Sequence, residues 1–382
     1  MSKREKSIVI IHCQPLEIYP PVTNCINFLA KEVGEGYRLH VITSEPESVK
    51  TLYANKRVDI LRISNSKKAR GAVGTVMRFA KFTIRALFKL IRLKPAAILY
   101  FESHSALPVF AYKRFFNKNA RVFIHYHEYM SPDDYAQPGM RTINFAHSKE
   151  KYLFKTAEWI SHTNNERMDL FLKDNPSLDK RRCHIMPNYP LREWAFIPDR
   201  EKKIGQVCGL VYVGSFGSFE DLYIKEFLTW VKQNAGTIFL DIYSFKVPAH
   251  VVAFIEELGA KNIELKGAVN YDSLPSVLTN YNVGVIMYKA TSLNVLHSEP
   301  NKLFEYLGCG LDVWFPEEML GCYPYIHEET YPKVIKVNFK DIDNFDFKSA
   351  IKRDGLKERD IAFYCEDVVQ PLAYKLLNVS GK

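Results

Sequence analysis

The segment Ser298-Glu299-Pro300-Asn301-Lys302-Leu303-Phe304-Glu305-Tyr306-Leu307-Gly308-Cys309-Gly310-Leu311-Asp312-Val313 joins a helix start, an acid one turn into the helix, and a glycine-containing end that feeds a strand. Proline costs nothing in a first turn, where its N–H would be unpaired anyway, and glycine suits a helix end. The spacing therefore predicts a short helix from Pro300 to Cys309. The unpaired N–H groups of its first turn, through Asn301, Lys302 and Leu303, carry positive partial charge. With the Lys302 ammonium beside them, they can receive a diphosphate. Glu305 is placed to accept two hydrogen bonds from a ribose diol, while Leu303, Phe304 and Leu307 anchor the helix in the core. An ordinary amphipathic helix with a solvated glutamate fits the same residues.

Other polar residues gather where apolar runs end. His125 and His127 are two apart in Arg121 to His127 and so share a strand face, with Glu128 at its end. A His-x-His pair can bind metal, but no third ligand is suitably spaced, so no metal is expected and a hydrogen-bonded strand-end histidine is the plain alternative. Glu102-Ser103-His104 follows another run, and His12-Cys13-Gln14 the first. After Val211-Tyr212-Val213, Gly214 would let backbone approach phosphate oxygens closely and Ser215 could donate to them. Gly267-Ala268-Val269 ends a further run ahead of Asp272-Ser273-Leu274-Pro275.

The elements that must position these groups are short apolar runs alternating with helix-length segments, the pattern of parallel sheets wrapped by helices. Strands are expected at Ser7 to His12, Arg38 to Thr43, Ala97 to Phe101, Arg121 to His127 and Trp159 to His162. In the second half they are expected at Leu210 to Gly214, Thr237 to Tyr243, Ile263 to Lys266, Val283 to Tyr288 and Val313 to Phe315. Ligands in such sheets bind beyond the carboxyl ends of the strands, where the polar residues stand. At 382 residues, 47% of them hydrophobic, the chain fits two domains with substantial cores. Met186-Pro187-Asn188-Tyr189-Pro190 and the polar run Pro198 to Lys203 suggest the linker.

Seven scattered cysteines with no C-x-x-C pair indicate neither a disulfide framework nor a zinc site. The apolar run Ile8 to Ile11 is too short for a signal peptide or a membrane span, so a cytoplasmic protein is expected. Charge is uneven. Residues 1–190 hold 31 Lys and Arg against 17 Asp and Glu, a net of +14, and the remainder 21 against 26, a net of −5. The first half is thus expected to meet an anionic partner. Arg78, Lys81, Arg85, Lys89 and Arg92 form a cationic stripe on a helix over residues 72–93 whose remaining surface is largely apolar. A sheet-covering helix with a solvated basic face and peripheral docking on the inner membrane face both fit; no recognised nucleic-acid module is present.

The Pro300 to Gly310 stretch resembles the Pro-(Asn/Ser)-Lys-Leu-Phe-Glu-Tyr-Leu-x-x-Gly-x-Pro-Val signature of GT-B glycosyltransferases, family 4 (group 1) in particular, and the resemblance spreads over most of the chain. It implies an α/β fold of two Rossmann-like doubly wound domains facing a cleft. Residues 1–195 would form the acceptor side, with a C-terminal helix at 360–382 crossing back onto it, and 196–359 the nucleotide-sugar side. In that family the acid matching Glu305 holds the ribose, the loop matching Gly214 and Ser215 underlies the diphosphate, and that matching Gly267 and Val269 touches the base. A His followed by an acid, here His127-Glu128, contacts the transferred sugar or the leaving group. The resemblance implies retaining, metal-independent transfer from a UDP- or GDP-linked sugar to a glycan or lipid-linked glycan in cell-surface polysaccharide assembly, with no cofactor.

The chain departs from the pattern in three places. Asp312 replaces the usual Pro and is expected to change only the local turn. His297 stands where the first Glu of an E-x7-E pair is common, with Glu299 out of register. The Arg and Lys usual after the glycine loop are missing, the next cation being Lys225. A nucleotide-sugar epimerase of the same fold, or a non-catalytic sugar-nucleotide-binding or scaffolding relative, is the alternative.

Overall fold

The computed structural model describes residues 5–34, 36–45, 52–64, 71–196, 207–353 and 355–378. The polar run Pro198 to Lys203 lies outside them. The chain divides into two compact units, Met1–Asn188 with Cys365–Lys382, and Tyr189–Tyr364. The sequence placed the boundaries at 195/196 and 359/360. Tyr189 and Trp194 go with the second unit because their rings pack there, Tyr189 on Phe304 at 4.5 Å and Trp194 on Tyr271 at 4.8 Å.

The first unit is built on strands β1 (Lys6–His12), β2 (Tyr37–Ser44), β3 (Val58–Ile63), β4 (Ala97–Phe101), β5 (Arg121–Tyr126), β6 (Trp159–His162) and β7 (Cys183–Ile185). All pair in parallel, in the order β3-β2-β1-β4-β5-β6-β7. Strands covered on both faces must be apolar throughout, and β4, Ala-Ile-Leu-Tyr-Phe, is buried at every position. The order reverses between β1 and β4, which opens a crevice at their carboxyl ends. Helix Cys365–Leu377 packs on helix Pro20–Glu32, and Arg121 donates to the Lys375 and Leu376 carbonyls near its end.

The second unit holds β8 (Cys208–Val213), β9 (Ile238–Tyr243), β10 (Ile263–Gly267), β11 (Val283–Val285), β12 (Asp312–Pro316) and β13 (Val334–Val337), parallel in the order β10-β9-β8-β11-β12-β13. Its reversal lies between β8 and β11. Three strands escape the sequence reading, and each is short or at an edge. β3 interrupts its apolar residues with Asp59 and Arg62, β7 has three residues and β13 four. β5 stops at Tyr126, one residue short of His127, and β11 pairs only through Val285 although Tyr288 was expected to end it.

Asp312 does more than alter a turn. It is fully buried at the head of β12, accepts the Lys333 N–H at 2.7 Å and pairs with Arg353 at 3.1 Å. Burial raises its pKa, and the Arg353 charge pulls it back. Asp312 therefore ties β12, the entry to β13 and the distant Arg353 segment together. Asp312→Ala would leave the Arg353 guanidinium without its partner in a site where it is largely desolvated. The expected loss is about 3 kcal/mol or more, read from urea unfolding; a loss below about 1 kcal/mol would show the pair to be dispensable.

Candidate functional site

In the second unit, the two motif segments recognised separately in the sequence meet in space. Pro300 caps helix Asn301–Gly308 with extended backbone and is not its first residue, and Gly310 takes a left-handed φ of 73° where the chain turns into β12. The helix is fixed to the sheet by Tyr306. Its hydroxyl accepts the Val213 N–H at 3.0 Å, and its ring lies so close to Gly284 that a Cβ there would meet ring carbons at 2.2 Å. Docked this way, the helix lays Lys302 across Gly214. A Cβ on Gly214, whose φ is 137°, would come within 2.7 Å of the Lys302 Nζ. The φ of 137° favours glycine, and with no side chain at residue 214 the ammonium lies directly over the backbone.

The Lys302 Nζ also donates to the Tyr288 hydroxyl at 2.6 Å and sits 5.5 Å from the Tyr212 ring centroid. Glu305 follows on the same helix, buried to 6% exposure. Burial pushes its carboxyl up to about 7, against the opposing pull of the Lys302 charge and of a hydrogen bond from the Tyr271 side chain. Tyr271 belongs to the loop that leaves β10 through Gly267, Ala268 and Val269, so this loop and Glu305 are joined. Gly267 is exposed with φ 78° and its carbonyl accepts the Ser244 N–H, and Val269 is half-buried.

The predicted residues divide accordingly. Gly214, Lys302 and Glu305 converge, Gly267 and Val269 belong to the adjoining loop, and Ser215 is exposed directly after Gly214. Asn301 is half-buried in the first turn. Leu303 is a correction. Its side chain is fully buried and its N–H donates to the Pro300 carbonyl at 2.9 Å, so it anchors the helix and has no group left for a ligand. Tyr288 and Tyr271 are further members of the site, and Tyr271 carried no signal because its partner lies more than thirty residues away. Glu299 is buried and takes a side-chain hydrogen bond from Tyr325.

In the first unit, the reversal between β1 and β4 collects aromatic and imidazole rings. His127 stacks on Phe101 at 5.2 Å, its Nδ1 lies 2.8 Å from Asn188 Oδ1 and 3.2 Å from His125 Nε2, and Arg167 donates to its carbonyl at 2.6 Å. Burial lowers its pKa to about 4, so the imidazole is neutral at pH 7. Its Nε2 is buried without a partner among the described residues, as are both ring nitrogens of His12. His125 is spent on Ser161 and His127. Glu128, by contrast, is exposed and lines a cavity of about 140 Å³ with Tyr126, Tyr135, His147 and Lys151.

Glu102 holds this loop. Its φ of 63° is strained for a residue with a side chain, and its carboxylate accepts the His127 N–H at 2.6 Å and the Glu128 N–H. Nearby, Glu150 is buried, accepting from Tyr100 at 2.8 Å and Ser103 at 2.7 Å, which steadies the turn after Glu102. Burial first, and the Glu128 charge second, push Glu102 up to about 8.

Two parallel sheets, each with polar groups at its reversal point, define a doubly wound α/β class. At the level of sequence, no protein-family model and no curated protein matches the chain. Among solved structures it is similar to WaaG, a glycosyltransferase involved in lipopolysaccharide biosynthesis (TM-score 0.65, 13% identity, covering 97% of this chain and 99% of that one). It is also similar to Anabaena Alr3699/HepE in complex with UDP-glucose (0.61, 10%, 98% and 96%). A third is the UDP-GlcNAc 2-epimerase of Methanocaldococcus jannaschii (0.57, 12%, 97% and 99%). The fold is that of the GT-B glycosyltransferases, which the epimerase shares.

Glu102 makes stability depend on pH. An unfolded carboxyl titrates at 4.5 and the folded one at about 8, so across that window the unfolded chain has released a proton that the folded chain keeps. The stability Glu102 contributes is full below the lower value and is lost as pH rises through the upper; Glu305, folded value about 7, acts with the same sign. Glu102→Gln keeps the acceptor and removes one titration. Melting temperatures taken from about pH 5 to 9 should fall less steeply in the variant than in the wild type, and parallel curves would refute the assignment.

Proposed function

We propose that the protein is a glycosyltransferase of the family 4 kind, moving a sugar from a nucleotide-sugar donor to a glycan or lipid-linked glycan in cell-surface polysaccharide assembly. The observation that carries this reading is the Lys302 ammonium lying across Gly214, with Glu305 one turn further along the same helix. Lys302 and the first-turn N–H groups offer positive charge to a diphosphate, and that charge counts most when the diphosphate leaves. Glu305, ionised, accepts from a ribose diol. The loop from Gly267 to Tyr271 would close around the base.

Within the first unit, His127 offers a neutral imidazole with a free Nε2, able to donate or accept toward a sugar hydroxyl. Glu128, exposed on the cavity, is the accompanying acid. The resemblance adds retention of configuration and independence of metal to the expectation. The Anabaena neighbour in complex with UDP-glucose supports a uridine-linked donor, with a guanosine-linked one the alternative. A nucleotide-sugar epimerase is the competing reading, favoured by the archaeal neighbour of the same fold. The two differ in whether the free nucleoside diphosphate appears only when an acceptor is supplied.

The test is calorimetric titration with UDP, GDP, dTDP and CMP, at about pH 6 and pH 8, on wild type and Glu305→Gln. A ligand that needs ionised Glu305 should bind about tenfold more tightly at the higher pH, because a carboxyl titrating near 7 goes from mostly protonated to mostly ionised between them. Glu305→Gln should bind at least about tenfold more weakly and lose that part of the pH dependence. Failure of all four to bind would overturn the donor site.

A further inference from the structure

The outward face of helix Gly71–Leu93 is apolar. Val73, Val76, Met77, Ile84 and Phe88 are all more than half exposed, Val73 at 72% and Phe88 at 68%, whereas the residues buried against the unit are Gly74, Phe82, Ala86 and Leu90. With about 100° of turn per residue, Val73, Met77, Ala80, Ile84 and Phe88 fall on one strip and Phe82, Ala86 and Leu90 opposite it. Arg78, Lys81, Arg85, Lys89 and Arg92 lie together on the flank between. The sequence showed the cations as a stripe; the fold shows that they border an exposed apolar strip. The neighbouring helix Ala106–Phe115 exposes Phe115 at 69%, and Phe116 follows it into solvent. A soluble surface does not ordinarily carry so many large apolar side chains on one helix.

We propose that this face docks on an anionic lipid bilayer, the helix lying in the plane of the surface with its apolar strip in the acyl boundary and its basic flank among the headgroups. Charge decides the occupant. The helix holds five cations and no Asp or Glu, so two copies meeting through this face would bring like charges together. An anionic leaflet meets both the strip and the flank. No helix of the described residues is long and apolar enough to cross a membrane, so the contact is one of lying on the surface. Docking requires nothing of the donor site and stands or falls apart from it, but it would bring a lipid-linked acceptor within reach of the first unit.

The test is co-sedimentation of the full chain with vesicles of phosphatidylcholine alone and of phosphatidylcholine with roughly one-third phosphatidylglycerol. Binding to the anionic vesicles should exceed binding to the neutral ones by at least about tenfold and fall as salt is raised. Ile84→Asp with Phe88→Asp should weaken it at least about tenfold, and Arg85→Glu with Arg92→Glu by a similar factor. All four positions are exposed, so circular dichroism and nucleotide titration should match wild type. Absence of binding at low salt, equal binding to both vesicles, or a lipid-free dimer that Phe88→Asp dissociates would each overturn the proposal.

Discussion

The second unit depends on how closely helix Asn301–Gly308 approaches its sheet, and that approach rests on Tyr306. The β8–β11 ladder runs out before Val213, leaving an N–H in the interior that needs an acceptor. The Tyr306 hydroxyl supplies it, and the ring can come so near only because residue 284 has no side chain. Everything chemical follows from that distance. One turn earlier Lys302 is laid over Gly214, and beside Tyr306 the Glu305 carboxyl is drawn into a site where burial outweighs a cation on its own helix. Gly284 on β11 is therefore a requirement of this docking, and Gly214 after β8, glycine for its φ of 137°, leaves its backbone open to the lysine that the docking brings.

The helix, its acid, its cation and the glycine loop could be read from the sequence because each is a local pattern. Their meeting could not, since Gly284 in Val283–Val285 looks like any small residue in a strand. Leu303 was misplaced for a related reason. Position in a first turn predicts an available N–H, but the turn tightened and used it on the Pro300 carbonyl. Asp312 was underestimated because its partners, Lys333 and Arg353, come from segments far along the chain. An acid at the head of a buried strand demands a cation somewhere, and sequence alone does not say where.

In the first unit, alternation along β5 correctly put His125 and His127 on one face, yet their roles diverge. His125 is closed off by Ser161, while His127 sits one residue past the strand, held through its own backbone by Glu102 and Arg167. Glu102 is the least readable of these residues. Nothing local foretells a glutamate at positive φ, and the strain is offset by two N–H bonds to the loop it secures. Its protonation follows from the same geometry, because a carboxyl turned inward beside Glu128 keeps its proton until the medium is mildly alkaline.

Helix Gly71–Leu93 shows how a strong pattern can still leave a surface ambiguous. Its apolar residues occupy more of the circumference than one core contact needs, so periodicity predicts a helix without saying which apolar strip goes inward. The fold decides it. Phe82, Ala86 and Leu90, spaced by four, are buried against the unit, whereas the strip through Val73, Met77, Ala80, Ile84 and Phe88 is exposed. That second strip is left facing out. The basic flank is then displaced to one side, where its cations border apolar side chains instead of standing alone in water. That arrangement is a poor one for a helix surrounded by solvent and a good one at an interface between an apolar phase and an anionic layer.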